Sequence, residues 1–289
     1  MAALLMGLSA ANANEAPRVV VSIKPLHALV AGLMQGAGEP KLLVKEGNTP
    51  FDYQLDARDR AALDAADLIV WVGKELEGFL AVPLAGVHKA DVLELLGIEQ
   101  LKILPQRRNA DARDPYFWLD SRNGLMTLDL LARVLSELDP ARSHIYFNNR
   151  KRMFSELAEI DRQFEYGYRG VSGYPVLLYH DTQQYFEQAY AMRVIGHLAL
   201  AVGESADAAR LLQAQTDLQS STEPVCLFTE RGLPDDNLEL LSLKTHVRTG
   251  QLDSMGSGIP PGPDHYTTLL RRHFNTIKAC IDPRTASKP

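Results

Sequence analysis

Four short apolar runs constrain this chain more than any other feature. Val19-Val20-Val21-Ser22-Ile23, Leu68-Ile69-Val70-Trp71-Val72, Val176-Leu177-Leu178-Tyr179 and Val225–Thr229 are aliphatic or β-branched with almost no polar alternation. A strand with one wet face alternates, whereas a continuous run belongs to a strand buried on both faces, as in a parallel sheet covered by helices. Helical stretches follow the runs. Pro25–Ala37 starts with a proline where its missing N–H costs nothing and ends near Gly36 and Gly38. Asp56–Ala66 and Lys74–Leu84 are further helices, and Leu42–Val44 and Val92–Leu95 complete a four-strand set. The later part repeats the scheme: helices over Gln183–Tyr190, Ala206–Leu218 and Asp264–Ile281, strands over Met192–Leu200 and Thr245–Leu252. Between the halves, Asp139 caps and Pro140 opens a helix whose Met153, Leu157, Ile160 and Phe164 share one face. It runs to about Gly167 unless it breaks near Tyr146–Asn149. The expected architecture is α/β: two lobes, each a parallel-sheet α/β sandwich, joined by one long backbone helix. The boundaries are 17–138, 139–168 and 169–289, after a targeting remnant at 1–16.

The 289 residues suit two lobes of ordinary domain size. A net charge of −6 with no basic run argues against nucleic acid as a partner, and no apolar stretch is long enough to span a membrane. Met1–Ala13 is apolar, then small, and ends Ala11-Asn12-Ala13, the pattern of a signal-peptide cleavage site. It lacks a basic start, so the true start is expected upstream. The two cysteines, Cys226 and Cys280, either pair in an oxidising compartment or stay as buried inert thiols.

Enzyme signatures are missing: no GxGxxG, GxxxxGK[ST], GxSxG or HExxH occurs, and no nucleophile is paired with a base. The expectation is that the chain is not an enzyme. Most histidines are scattered and read as surface or satisfied core residues. His180 differs, because with Asp181 it ends a strand just before a helix, where open α/β sheets place their ligands.

Several segments together carry a family likeness. Val21–His27 resembles a VTSIKPLHSLV opening, Thr49–Leu55 an SPHDYxL loop, and Ala66–Gly73 an ADLVFWVG strand. Asp114–Asp120 resembles DPHxWLD, Tyr179-His180-Asp181 with Tyr185-Phe186 an FHDAYxYFE segment, Phe228-Thr229-Glu230 a VFTEP motif, and Leu252–Gly256 an LDPLG motif. On these segments the chain resembles the zinc-type (ZnuA-like) solute-binding proteins of bacterial metal ABC transporters. The resemblance implies two α/β lobes on a backbone helix, export to the periplasm, a signal peptide, delivery of metal to a membrane permease, action as a monomer, and a disulfide between Cys226 and Cys280. In that family zinc is held by histidines of the SPHDY, DPHxWLD and FHDA segments, often with the LDPLG carboxylate. Here Phe51 and Tyr116 stand at the first two positions; His180 and Asp253 remain. The family's His-rich loop is replaced by Arg107–Arg113, without histidine.

The expected metal ligands are therefore His180 and Asp253, with Tyr116 as a possible third. Retained His180 leans to the zinc-type subgroup, since manganese-type relatives carry Glu there. Phe51, Tyr53 and Trp118 are expected to line the cleft. Zinc wants four N, S or O donors; phenylalanine has none, and tyrosine gives one only as phenolate, which suits Fe³⁺ better. The expected cargo is Zn²⁺ at an altered site, with Mn²⁺, Fe³⁺ or a metal chelate such as a siderophore complex as alternatives. An accessory subunit and a non-transport, adhesin-like interaction protein are the other readings.

Overall fold

The computed structural model describes residues 15–169, 172–199, 202–238, 241 and 247–282. The targeting remnant over Met1–Ala13 and His246 thus lie outside the described residues.

The first lobe opens with β1 (Val19–Val21), α1 (Lys24–Leu33), β2 (Lys41–Leu42), α2 (Ala57–Ala65), β3 (Leu68–Trp71), α3 (Gly78–Ala85) and β4 (Asp91–Glu94). Its sheet has the order β2-β1-β3-β4 with all pairs parallel, Val20 lying beside Ile69 and Ile69 beside Val92. The second lobe has β5 (Val176–Leu178), α6 (Gln184–Tyr190), β6 (Val194–His197), α7 (Ala208–Ser220), β7 (Val225–Glu230) and β8 (Val247–Leu252). Its order is β6-β5-β7-β8, again all parallel. β1, β3, β5 and β7 are buried along their whole length, which is what their unbroken apolar runs require.

Two helices bridge the lobes. α4 (Ser121–Leu138), which has no counterpart in the sequence reading, is capped by Asp120, whose carboxylate accepts from the Arg122 N–H at 3.0 Å. Its polar, glycine-containing opening hides it in the sequence. Gly124 is needed there because a Cβ would overlap the Tyr266 hydroxyl. α5 (Ser143–Arg169) follows a 3₁₀ turn at Pro140–Arg142. The helix starts three residues later than expected because Asp139 uses its carboxylate on Tyr146 (2.7 Å) and Arg142 (3.1 Å), closing the turn. No break occurs at Tyr146–Asn149: Tyr146 is buried, and Asn149 donates to the Leu33 and Gln35 carbonyls at 2.8 Å each, capping the end of α1. Met153, Leu157, Ile160, Phe164 and Tyr168 form its buried stripe. With 27 residues it spans about 40 Å at 1.5 Å per residue.

α8 (His265–Ile281) closes the chain but packs against α1 and α5 as well as β8. Phe274 of α8 stacks on Phe164 of α5 with ring centroids 4.5 Å apart. A disulfide joins Cys226 of β7 to Cys280 of α8, with Cα atoms 6.0 Å apart.

Candidate metal-cargo cleft

The carboxyl ends of both sheets feed one cleft, as expected for α/β sheets. Loops after β2, β7 and β8 and the turn before α4 wall a cavity of about 290 Å³. A second cavity, of about 250 Å³, lies beside it under the 106–108 loop. Phe51 and Tyr116 line both.

The two substituted positions are therefore the wall between the cavities. Phe51 stands at the mouth, 44% exposed. Tyr116 is buried deeper because the turn before α4 is folded on Asp114, whose carboxylate accepts the Tyr116 backbone N–H at 2.9 Å. Burial, and then the nearby Glu230 and Asp114 carboxyls, hold the Tyr116 phenol well above its ordinary pKa. It is a neutral phenol at pH 7. Burial also pushes Asp114 up to about 7, helped by Asp181 and opposed by Arg107.

Tyr53 and Trp118, expected in the cleft, lie in the core instead. The Tyr53 hydroxyl donates to Asp59 at 2.8 Å, and its ring packs on Phe79 at 5.3 Å. Asp59 is part of the capping box that starts α2, so Tyr53 is drawn under that helix. Trp118 is fully buried and its Nε1–H donates across the lobes to the Ser254 carbonyl at 2.8 Å.

His180 and Asp253 are both engaged. The His180 Nε2–H donates to the Glu204 carbonyl at 2.9 Å, which leaves Nδ1 as its lone-pair nitrogen, buried and unpartnered. Burial lowers its pKa, so the ring is neutral. His180 lines neither cavity. Asp253 is spent on its own turn: one oxygen accepts from the Ser257 N–H (2.8 Å) and hydroxyl (2.9 Å), the other from the Gly258 N–H (2.9 Å). Arg231 stands 3.6 Å from the same carboxylate. Among the described residues no three His, Cys, Asp or Glu side chains come together as a metal-holding group.

Three residues that the sequence reading gave no role shape the cleft. Glu230 lines the larger cavity and accepts from the Ser254 N–H (2.6 Å), the Ser254 hydroxyl (2.8 Å) and the Thr182 hydroxyl (3.1 Å). Burial outweighs these bonds and raises it to about 7. Lys24, in the SIKPLH-like opening, donates to the Ser257 and Ile259 carbonyls of the other lobe at 3.1 Å each. Arg107 reaches from the loop that lacks the family's histidines to Asp181 and His197 at 2.8 Å each, and to Glu187. Glu230 and Lys24 sat inside motifs that were legible; only their placement reveals what they face. His27, His265 and His273 are core residues bonded to the Pro40 carbonyl, the Pro260 carbonyl and the Gln183 side chain.

Comparison with known proteins agrees with this architecture. The family model described as zinc-uptake complex component A, periplasmic (ZnuA), matches residues 19–280. The high-affinity zinc uptake system protein ZnuA of Brucella abortus (strain 2308) is 29% identical, over 93% of each chain. The protein of the same name from Yersinia pestis is 26% identical, over 91% of each. The solved periplasmic zinc binding protein TroA of Treponema pallidum superposes with a TM-score of 0.77 at 21% identity, covering 92% of this chain and 99% of that one. FpvC of Pseudomonas aeruginosa, solved in complex with Mn²⁺, gives 0.81 at 19% identity, covering 93% and 100%.

Proposed function

Since the chain belongs to the ZnuA family of periplasmic zinc-uptake components, we propose that it is the exported substrate-binding subunit of a metal ABC uptake system. In this reading lobes 17–138 and 169–289, joined through 139–168, act as one monomeric receptor that hands its cargo to a membrane permease. The remnant at 1–16 is removed on export. The observation that carries the reading is the shared cleft: two sheets of the same strand order meet at their carboxyl ends, within a family match that spans both lobes. The test is genetic. Deleting the gene should lower cellular zinc under zinc restriction, measured by mass spectrometry, and unchanged content of zinc, manganese and iron would reject the reading.

Zn²⁺ is the first cargo to try, after the names of the relatives; Mn²⁺ and Fe³⁺ follow. His180, Asp253 and Tyr116 remain the proposed direct ligands for a bare ion. Binding one there requires the 253–258 turn to release Asp253 and the ion to reach the buried Nδ1 of His180. Two or three donors give a weaker site than the four that zinc prefers. Calorimetry of metal-stripped protein with Zn²⁺ should show this weak binding, lost in His180→Ala. Zinc binding that His180→Ala leaves unchanged would reject the ligand set.

The cavity favours a second form of the same reading. Its aromatic wall at Phe51 and Tyr116 suits a metal that arrives already wrapped by an organic chelator.

A further inference from the structure

The cleft contains an unspent hydrogen-bonding group. Tyr116 is 2% exposed and lines both cavities, yet its hydroxyl has no hydrogen-bond partner among the described residues. Kept protonated by its surroundings, it is a poor metal donor and a good partner for an anionic oxygen.

The same cavity contains an unspent cation. Lys24 is 7% exposed, its ammonium donates to two carbonyls, and no carboxylate pairs with it among the described residues. One of its three N–H groups is left over. The other cations at this cavity are matched: Lys45 pairs with Asp56 and Asp59, and Arg231 stands beside Asp253. Glu230, raised to about 7 by burial, is only partly ionised at pH 7, and its oxygens are already met by Ser254, Thr182 and Gln183.

Size points the same way. The cavity of about 290 Å³ is roughly ten times the ~30 Å³ share of a water molecule, which is the room of a small organic ligand. Phe51, at its mouth, presents an exposed ring to that space.

We propose that this cleft takes its metal as an anionic complex with a small carboxylate chelator: the Tyr116 hydroxyl donates to a chelator carboxylate oxygen, the Lys24 ammonium balances the negative charge, and Phe51 covers the apolar edge. The proposal rests on the metal-uptake reading and names the form of the cargo. The chelator supplies the donors, so imidazoles at positions 51 and 116 are not required, and His180 keeps its bond to Glu204.

Zinc citrate is the probe. Metal-stripped full-length protein is dialysed against zinc alone, radiolabelled citrate alone and the zinc–citrate complex, and the same additions are followed by fluorescence. Trp118 reports on the site, its ring 5.5 Å from that of Tyr116. The expected result is one zinc and one citrate retained together, at least about tenfold more tightly than either alone, as one well-made charge-assisted contact gives. Tyr116→Phe, which keeps the ring and its packing, should weaken retention of the complex about tenfold. Phe51→Ala should weaken it as well. Melting curves of each variant show that it is folded. The proposal is overturned if zinc alone is retained as tightly as the complex, if the complex is not retained, or if Tyr116→Phe binds it as well as the parent. Zinc alone retained as tightly as the complex, together with loss of cellular zinc on gene deletion, would leave the transport reading standing and this inference refuted. Complex retained with cellular metal unchanged would do the reverse.

Discussion

Acidic side chains in this molecule often serve their own backbone. Asp253 holds the turn after β8, Asp114 the turn before α4, and Glu77 the turn after β3. Glu77 is fully buried and accepts the Val72 and Gly73 N–H groups at 3.0 Å each, with the Ser22 hydroxyl as a third partner. Burial still pushes it up to about 7. The unfolded chain loses this proton near pH ~4.3, so over roughly pH 4.5 to 7 the folded state holds more protons and stability falls as pH rises. Glu77→Gln should flatten that decline, read as melting temperature between about pH 5 and 8; a slope equal to the parent's would refute the assignment. At this scale the sequence was informative about identity and poor about direction. Phe51 and Tyr116 were visible as departures from a ligand pattern. That Tyr53 turns under α2 and Trp118 turns toward Ser254 depends on partners far along the chain, which no local pattern carries.

The elements were largely legible, because two-sided burial and helix caps leave local traces. Asp56 is one: it accepts the Asp59 N–H at 2.8 Å, and Asp59 returns a bond to the Asp56 N–H. Asp56→Ala should cost about 1 kcal/mol of stability by urea melting, to which loss of the exposed pair with Lys45 adds little. Helix α3 begins at Gly78, four residues later than Lys74, because the Glu77 carboxylate holds 73–77 as a turn. α4 escaped notice because small residues at its start answer to Tyr266, over a hundred positions away. Gly124→Ala should therefore destabilise by about 1–3 kcal/mol despite alanine's higher helix propensity; a variant more stable than the parent would show that α4 and α8 have room to separate. The disulfide closes a loop over a separation of 54 residues, worth about 4 kcal/mol in the chain-entropy view. Reduction should lower the melting temperature by many degrees, and an unchanged curve would refute that share.

The lobes are clasped at several points. Lys24 reaches Ser257 and Ile259, Trp118 reaches Ser254, and the Tyr185 hydroxyl donates to the Asp114 carbonyl while accepting from the Leu104 N–H, both at 2.9 Å. The 105–113 loop adds a strap: Arg113 holds Glu75 and Glu94 of the first lobe, while Arg107 holds Asp181 and Glu187 of the second. Arg107→Ala should raise amide exchange in this loop and around Asp181, leaving the sheet strands unchanged. Protection equal to the parent's would show that the strap is not what orders the loop.

The final helix also sets a schedule. During synthesis the first lobe emerges early, yet its helix α1 is covered by α8, and the Tyr266 hydroxyl bonds the Trp118 carbonyl at 2.6 Å. The oldest part of the chain thus waits for the youngest. A chain that stops short of α8 has the strands of both sheets but lacks the 17-residue helix that packs on each half.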